Sequence, residues 1–150
     1  LCVAGVDTLL ASLAMVVLFA VTGWGPRPAG VWVVAIAPVE VAFAAGVSLA
    51  LSAVLVYVRD MTILLPILLQ LGLFASPVAW PFSQIPAWLR PAYAVANPLG
   101  PVIDSVRRTL LGGRAPDPLL LGLAAAGALA FLAGGYALFK RAEVGFADTA

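Results

Sequence analysis

Residues 59–81 read RDMTILLPILLQLGLFASPVAWP. Past the Arg59-Asp60 step, the stretch from Met61 to Phe74 holds only Thr62 and Gln70 as polar breaks. A soluble core helix of this length keeps a polar face toward water. A helix that is apolar all round belongs in lipid or in the interior of a bundle, and the reading that follows is an all-α membrane protein.

The rest of the chain repeats the pattern. Its charges leave uncharged runs at residues 8–26, 41–58, 61–89 and 118–139, each near or above the ~20 apolar residues that cross a bilayer. Of the 150 residues, 63% are hydrophobic and 10% charged, and the mean hydropathy is +1.10, well beyond an ordinary globular domain. Four transmembrane helices are predicted, over residues 6–22, 30–56, 61–80 and 119–139.

Their ends carry the usual punctuation. The first closes on Thr22-Gly23-Trp24-Gly25-Pro26, and Arg27-Pro28 turn outside the membrane. The second is interrupted only by Pro38 and Glu40 and closes on Tyr57-Val58-Arg59-Asp60. The third has Pro66 near its start, where neighbouring helices repair a missing hydrogen bond, and Ser76-Pro77 and Trp80-Pro81 end it. The last stops at Lys140-Arg141, with a short polar tail beyond. In the region 81–118, Pro81, Pro86, Pro91, Pro98, Pro101, Pro116 and Pro118 divide the chain into half-apolar pieces, each too short to span. Short re-entrant helices are expected there. Because the chain opens on Leu1 with no basic n-region, the expectation is a truncated start and not a signal peptide.

Charge does not orient these helices cleanly. With four spans the Lys140-Arg141 tail lies on the Leu1 side together with Arg59, and Arg27, Arg90, Arg107, Arg108 and Arg114 lie opposite. Counting alone puts the second group in the cytoplasm. Arginines packed within re-entrant helices, however, are poor reporters of topology.

Several chemistries drop out. Cys2 is the lone cysteine and there is no histidine, so an internal disulfide and the usual thiolate or imidazole metal sets are missing. A net charge of +1 without a basic patch gives nucleic-acid binding no support. Nothing matches GxxxxGK[ST], so the chain has no P-loop for ATP phosphates.

Arg59-Asp60, Ser76-Pro77, Pro81, Ile85-Pro86, Asn97-Pro98, Arg107 and Leu111-Gly112 together resemble the permease subunits of type-2 ABC exporters that move polysaccharides. The likeness covers nearly the whole chain, and RDMTILLP followed by SPVAWP is its most specific part. It implies the C-terminal part of a six-helix subunit carrying helices three to six, with an Arg-Asp step before the fifth and two re-entrant periplasmic helices before the sixth. It also implies a bacterial plasma (inner) membrane location, a homodimer with a second permease copy, and a separate nucleotide-binding ATPase subunit. That partner would hold ATP and Mg, with no cofactor on this chain. The implied cargo is a lipid-linked polysaccharide of O-antigen, capsule or teichoic-acid type. An exporter of drugs or lipids shares the architecture.

Candidate residues for the substrate path follow. Trp80, Phe82, Trp88 and Tyr93 cluster around the prolines. Aromatic faces suit the weak, repeated contacts a sliding glycan needs, although an interfacial aromatic belt gives the same pattern and is the plainer reading. Asp104, Arg107 and Arg108 lie at i, i+3 and i+4, so Asp104 can pair with either arginine on a helix. Alternatively, a guanidinium fork there contacts a diphosphate or an acidic sugar. Glu40 sits inside a predicted span, where an ionisable group by default signals function or a polar cavity, whereas Asp7 reads as interfacial. A membrane-embedded transferase or hydrolase would use Glu40, Asp60 or Asp104 as base, but these carboxylates are scattered with no second partner at a recognisable spacing. Ala42, Gly46 and Ala50, and again Ala126, Ala130 and Gly134, place small residues every four positions. Both stripes read as helix-packing faces within the chain.

Overall fold

The computed structural model describes residues 28–58, 61–78 and 80–146, with side chains to residue 143, and also residues 6, 10, 13, 14, 17, 18, 20 and 21. Those eight are helical; the rest of the predicted first helix, with Cys2, Asp7, Trp24, Arg27, Arg59 and Asp60, lies outside the described residues. Among the described residues all regular structure is helical.

A 3-10 turn, Pro28–Val31, leads into α1, Trp32–Tyr57, and α2 follows over Met61–Ala75. A second 3-10 turn, Phe82–Gln84, precedes the short helices α3, Arg90–Ala96, and α4, Leu99–Leu110, and α5, Pro118–Phe146, is the last element among the described residues. Among the described residues two helices are long and apolar enough to cross a membrane, Pro28–Tyr57 and Pro118–Glu143. At ~1.5 Å per residue α1 is roughly 39 Å long, more than the ~30 Å hydrocarbon core. By the same measure α2 reaches about 22 Å.

Two ends differ from expectation. Helix α2 stops at Ala75, not near Trp80, because Ser76 precedes Pro77 and that position disfavours helical backbone; Val78 N–H instead turns back to the Ser76 carbonyl at 2.8 Å. Helix α5 continues past Lys140-Arg141 to Phe146. No helix breaker stands there, and Lys140 reaches forward to Glu143 at 2.8 Å, an i,i+3 pair that supports the extra turn. The cationic pair therefore marks a change of surface polarity and not the end of the helix.

The core of the bundle is the crossing of α1 and α5. Gly46 on α1 faces the backbone of Phe131 and Leu132, and Gly135 on α5 faces the Gly46 carbonyl. Backbones meet here because neither glycine interposes a Cβ. Phe43 and Phe131 close one side edge to face, with centroids 5.0 Å apart. The small-residue stripe on α1 is thus a packing face, but the stripe expected on α5 is displaced. Ala126, Ala130 and Gly134 are exposed, and the buried small residues described on α5 are Ala124, Gly127, Ala128, Gly135 and Ala142. With alanine and glycine so frequent, more than one i,i+4 stripe exists, and the one in use runs in line with Phe131.

The segment between α2 and α5 packs over this pair. Helix α3 rests on α5, where Gly127 admits the Val95 carbonyl, and α4 lies against both α1 and α5. Phe82, Ile85, Ala94 and Leu120 form a second apolar cluster, with Trp80, Tyr93 and Leu123 against it. Asp117 caps α5, its Oδ1 accepting from the N–H groups of Leu119 and Leu120 at 3.0 and 3.2 Å, and Pro118 opens the helix. Gly113, at φ 62°, reverses the chain after α4 in the left-handed region that favours glycine.

Candidate substrate-contact surface

Helix α2 buries none of its residues. It is joined to the α3–α4 segment through its last carbonyls. The Trp80 indole N–H donates to the Phe74 carbonyl at 3.1 Å. The Tyr93 hydroxyl donates to the Ala75 carbonyl. Asn97 Nδ2 donates to the Ala75 carbonyl at 3.4 Å, to Ser76 Oγ at 3.0 Å and to the Tyr93 hydroxyl oxygen at 3.0 Å. Arg107 reaches the Val78 carbonyl at 3.3 Å. The Phe74 and Ala75 carbonyls, of the kind a helix end leaves unpaired, are thus taken by the side chains of Trp80, Tyr93 and Asn97. Burial raises the Tyr93 hydroxyl above its usual range, opposed by the Asn97 hydrogen bond, so the phenol remains a neutral donor.

Three of the four candidate aromatics come together. Phe82 and Tyr93 meet edge to face at 5.9 Å, with Trp80 on the same cluster. Phe82 is only 2% exposed, so its ring is used in packing. Trp88 stands apart at 79% exposure and is the candidate aromatic whose face is open.

The two arginines separate. Arg108 Nε lies 2.7 Å from Asp104 Oδ2, the i,i+4 member of the two pairings the sequence allowed. Arg107 is left with the Val78 carbonyl and turns toward α1, where it lines a groove of about 510 Å³ together with Glu40. Val102, Ile103, Val106 and Leu110 supply much of the apolar wall. Two charged residues 67 positions apart in sequence are thus brought to one groove by the packing of α4 on α1.

Sequence reasoning missed Asn97 and Arg90 as organising residues. Arg90 clamps the proline-rich turn, donating through Nε to the Ile85 carbonyl and through a terminal nitrogen to the Ser83 carbonyl, both at 2.9 Å. The available signal was local: Asn97 lies four residues after Tyr93 and immediately before Pro98.

Two long apolar helices among the described residues, with a proline-shaped segment folded over them, fit a membrane-embedded domain. The sequence model of the ABC-2 type transporter family matches residues 3–111, most of the chain, and the chain belongs to that family. It is a permease of the type-2 ABC class, and family membership implies an ABC ATPase partner and a place in the membrane. No curated protein and no solved structure matches the chain.

Proposed function

We propose that this chain is part of the permease of an ATP-driven exporter that carries a lipid-linked polysaccharide, of O-antigen, capsule or teichoic-acid type, across the bacterial inner membrane. The reading supposes four spans in this part of the subunit, a re-entrant 81–118 segment forming the outer gate, and two permease copies driven by two ATPase subunits that bind ATP and Mg. The observation that carries it is the aromatic and hydrogen-bonded platform of Trp80, Phe82, Tyr93 and Asn97 at the end of α2, built on the SPVAWP stretch that resembles polysaccharide permeases. Motion of α2 would reach the α3–α4 segment through those hydrogen bonds. Trp88 offers an open ring to a sugar face, Arg107 an available guanidinium to a phosphate, and Trp80, Tyr93, Arg108 and Glu40 complete the proposed path, with Phe82 supporting it from behind.

An exporter of lipids or drugs is the second reading, favoured by the apolar wall of the Glu40–Arg107 groove. The enzyme reading has less to stand on: Asp104 is tied to Arg108, and Glu40 is on a different helix.

The test starts with the full-length protein tagged in its native membrane. Recovery of a P-loop ATPase at about equal stoichiometry supports the transporter assembly, and clean recovery without one counts against it. Export of labelled glycan then addresses cargo. Trp88→Ala and Arg107→Lys should lower it, with Arg107→Lys impairing it more than Arg108→Lys; equal tolerance at both arginines argues against phosphate contact.

A further inference from the structure

We propose that the groove between α1 and α4 holds a zwitterionic membrane phospholipid with a primary amine, its phosphate on Arg107 and its ammonium on Glu40. The inference goes beyond the cargo reading, giving Glu40 and Arg107 a resident lipid in place of the cargo contacts proposed above, and holds whichever molecule the exporter moves.

Glu40 is the only charged residue between Pro28 and Val58. It lies about 12 Å along α1 from Trp32 at ~1.5 Å per residue. A carboxylate at that depth is costly, on the order of 2.5–3.5 kcal/mol at a membrane centre, and is retained where it meets a partner or lines a cavity. Among the described residues Glu40 has no ion pair and is exposed to the groove it lines. Across that groove, Arg107 uses one terminal nitrogen on the Val78 carbonyl, which leaves most of its five N–H donors without a partner among the described residues. Asp104, the carboxylate that would have neutralised it, is held by Arg108.

The groove thus presents one anion, one cation and an apolar wall of Leu99, Val102, Ile103 and Val106 in a space of about 510 Å³, within the ~300–1,000 Å³ of ordinary ligand pockets. Each simpler occupant leaves something unmet. An anionic lipid satisfies Arg107 and sets its charge beside Glu40. A cationic amphiphile does the reverse. An uncharged chain covers the wall and leaves both ions buried and unpaired, the costliest outcome. A phosphate and an ammonium on one head group, with an acyl chain along α4, meet all three features. A primary ammonium also donates hydrogen bonds to a carboxylate, which a trimethylammonium cannot. Phosphatidylethanolamine has this chemistry.

The experiment uses the full-length permease with its ATPase partner in nanodiscs containing equal parts of phosphatidylethanolamine, phosphatidylglycerol and phosphatidylcholine. Lipids retained after gentle release are counted by native mass spectrometry. The wild type should retain phosphatidylethanolamine about tenfold over the other two, as expected for one additional charge-assisted contact. Glu40→Gln should abolish the preference over phosphatidylglycerol while keeping some phospholipid through Arg107. Arg107→Ala should reduce retention of all three. Val106→Trp, which fills the groove with both charges intact, should remove the bound lipid, and unchanged melting of Glu40→Gln shows that its effect is not unfolding. Equal retention of the three lipids by the wild type, or a preference that survives Glu40→Gln, overturns the proposal, the former pointing to a groove filled by another part of the protein and the latter to a lipid site elsewhere. Glycan export can fail without altering this outcome, so the two readings are separable.

Discussion

Alanine at Gly46 and alanine at Gly134 are the same substitution in two apolar helices, yet the structure separates them. A Cβ at Gly46 falls 2.5 Å from Leu132 N and from the Phe131 carbonyl carbon, whereas a Cβ at Gly134 meets nothing within 4 Å. Carbon atoms pack at ~3.5–4.0 Å, so α1 and α5 must part by about 1 Å to admit the methyl, and a gap of that size forfeits a quarter to a half of the dispersion attraction across it. The obstructing atoms are backbone and cannot rotate away. Overpacking of this kind costs ~1–3 kcal/mol. Replacing glycine by alanine in a helix also favours the helix by about 1 kcal/mol, but that contribution is common to both variants and cancels in their difference. Gly46→Ala should therefore be less stable than Gly134→Ala by roughly 1–3 kcal/mol, at about 2–4 °C of melting temperature per kcal/mol. Melting followed by tryptophan fluorescence in one mild detergent measures it. If Gly46→Ala melts with Gly134→Ala or above it, the backbone crossing at Gly46 and Gly135 is wrong.

Tyr93→Phe removes the donor to the Ala75 carbonyl and an acceptor for Asn97; about 0.5–1.5 kcal/mol should be lost, with faster hydrogen exchange at the Ser76 and Val78 amides. Asp117→Ala takes the cap from α5 and should cost about 1 kcal/mol, read as a lower melting temperature that Asp117→Asn largely restores. Phe82→Ala empties a site that is 2% exposed and should destabilise by ~3–5 kcal/mol, while Trp88→Ala at 79% exposure should leave melting unchanged. Arg108→Ala should cost no more than about 0.5 kcal/mol, since its bond to Asp104 is a half-exposed i,i+4 pair.

Much of the architecture was legible because membrane helices advertise themselves locally. A run such as residues 118–139 contains no charge, and the exclusion of charge from hydrocarbon depends on composition, with no need of a partner. The second and last helices, the break at Ser76-Pro77 and the proline-divided segment after it could each be read from a few adjacent residues. So could a pair between Asp104 and one of its two neighbouring arginines, since i,i+3 and i,i+4 geometry is a property of one helix. What was not legible involves contacts between segments. Ala126, Ala130 and Gly134 look the same in sequence as Ala124, Ala128 and Gly135, and only the approach of α1 distinguishes the buried set from the exposed one. The arrest of α2 at Ala75 was signalled by Pro77, but the capture of its carbonyls by Tyr93 and Asn97 spans about twenty positions of chain.

The aromatic candidates show the same division. Type and spacing named Trp80, Phe82, Trp88 and Tyr93 together, because all four punctuate one proline-rich stretch. Packing gave them different parts: Phe82 sealed in a cluster with Leu120 of a distant helix, Tyr93 bonded to the end of α2, Trp88 left open. Glu40 and Arg107 likewise appeared in sequence as an isolated carboxylate and one of two neighbouring arginines. Their meeting in one groove depends on how α4 crosses α1, which arises from helix packing across long sequence separations. Hydropathy and backbone chemistry are local, so the chain alone determined that it is helical, membrane-embedded and divided by prolines. Proximity between segments is not local, and the folded arrangement decided which small residues meet, which arginine is left unpaired and where a charged groove opens.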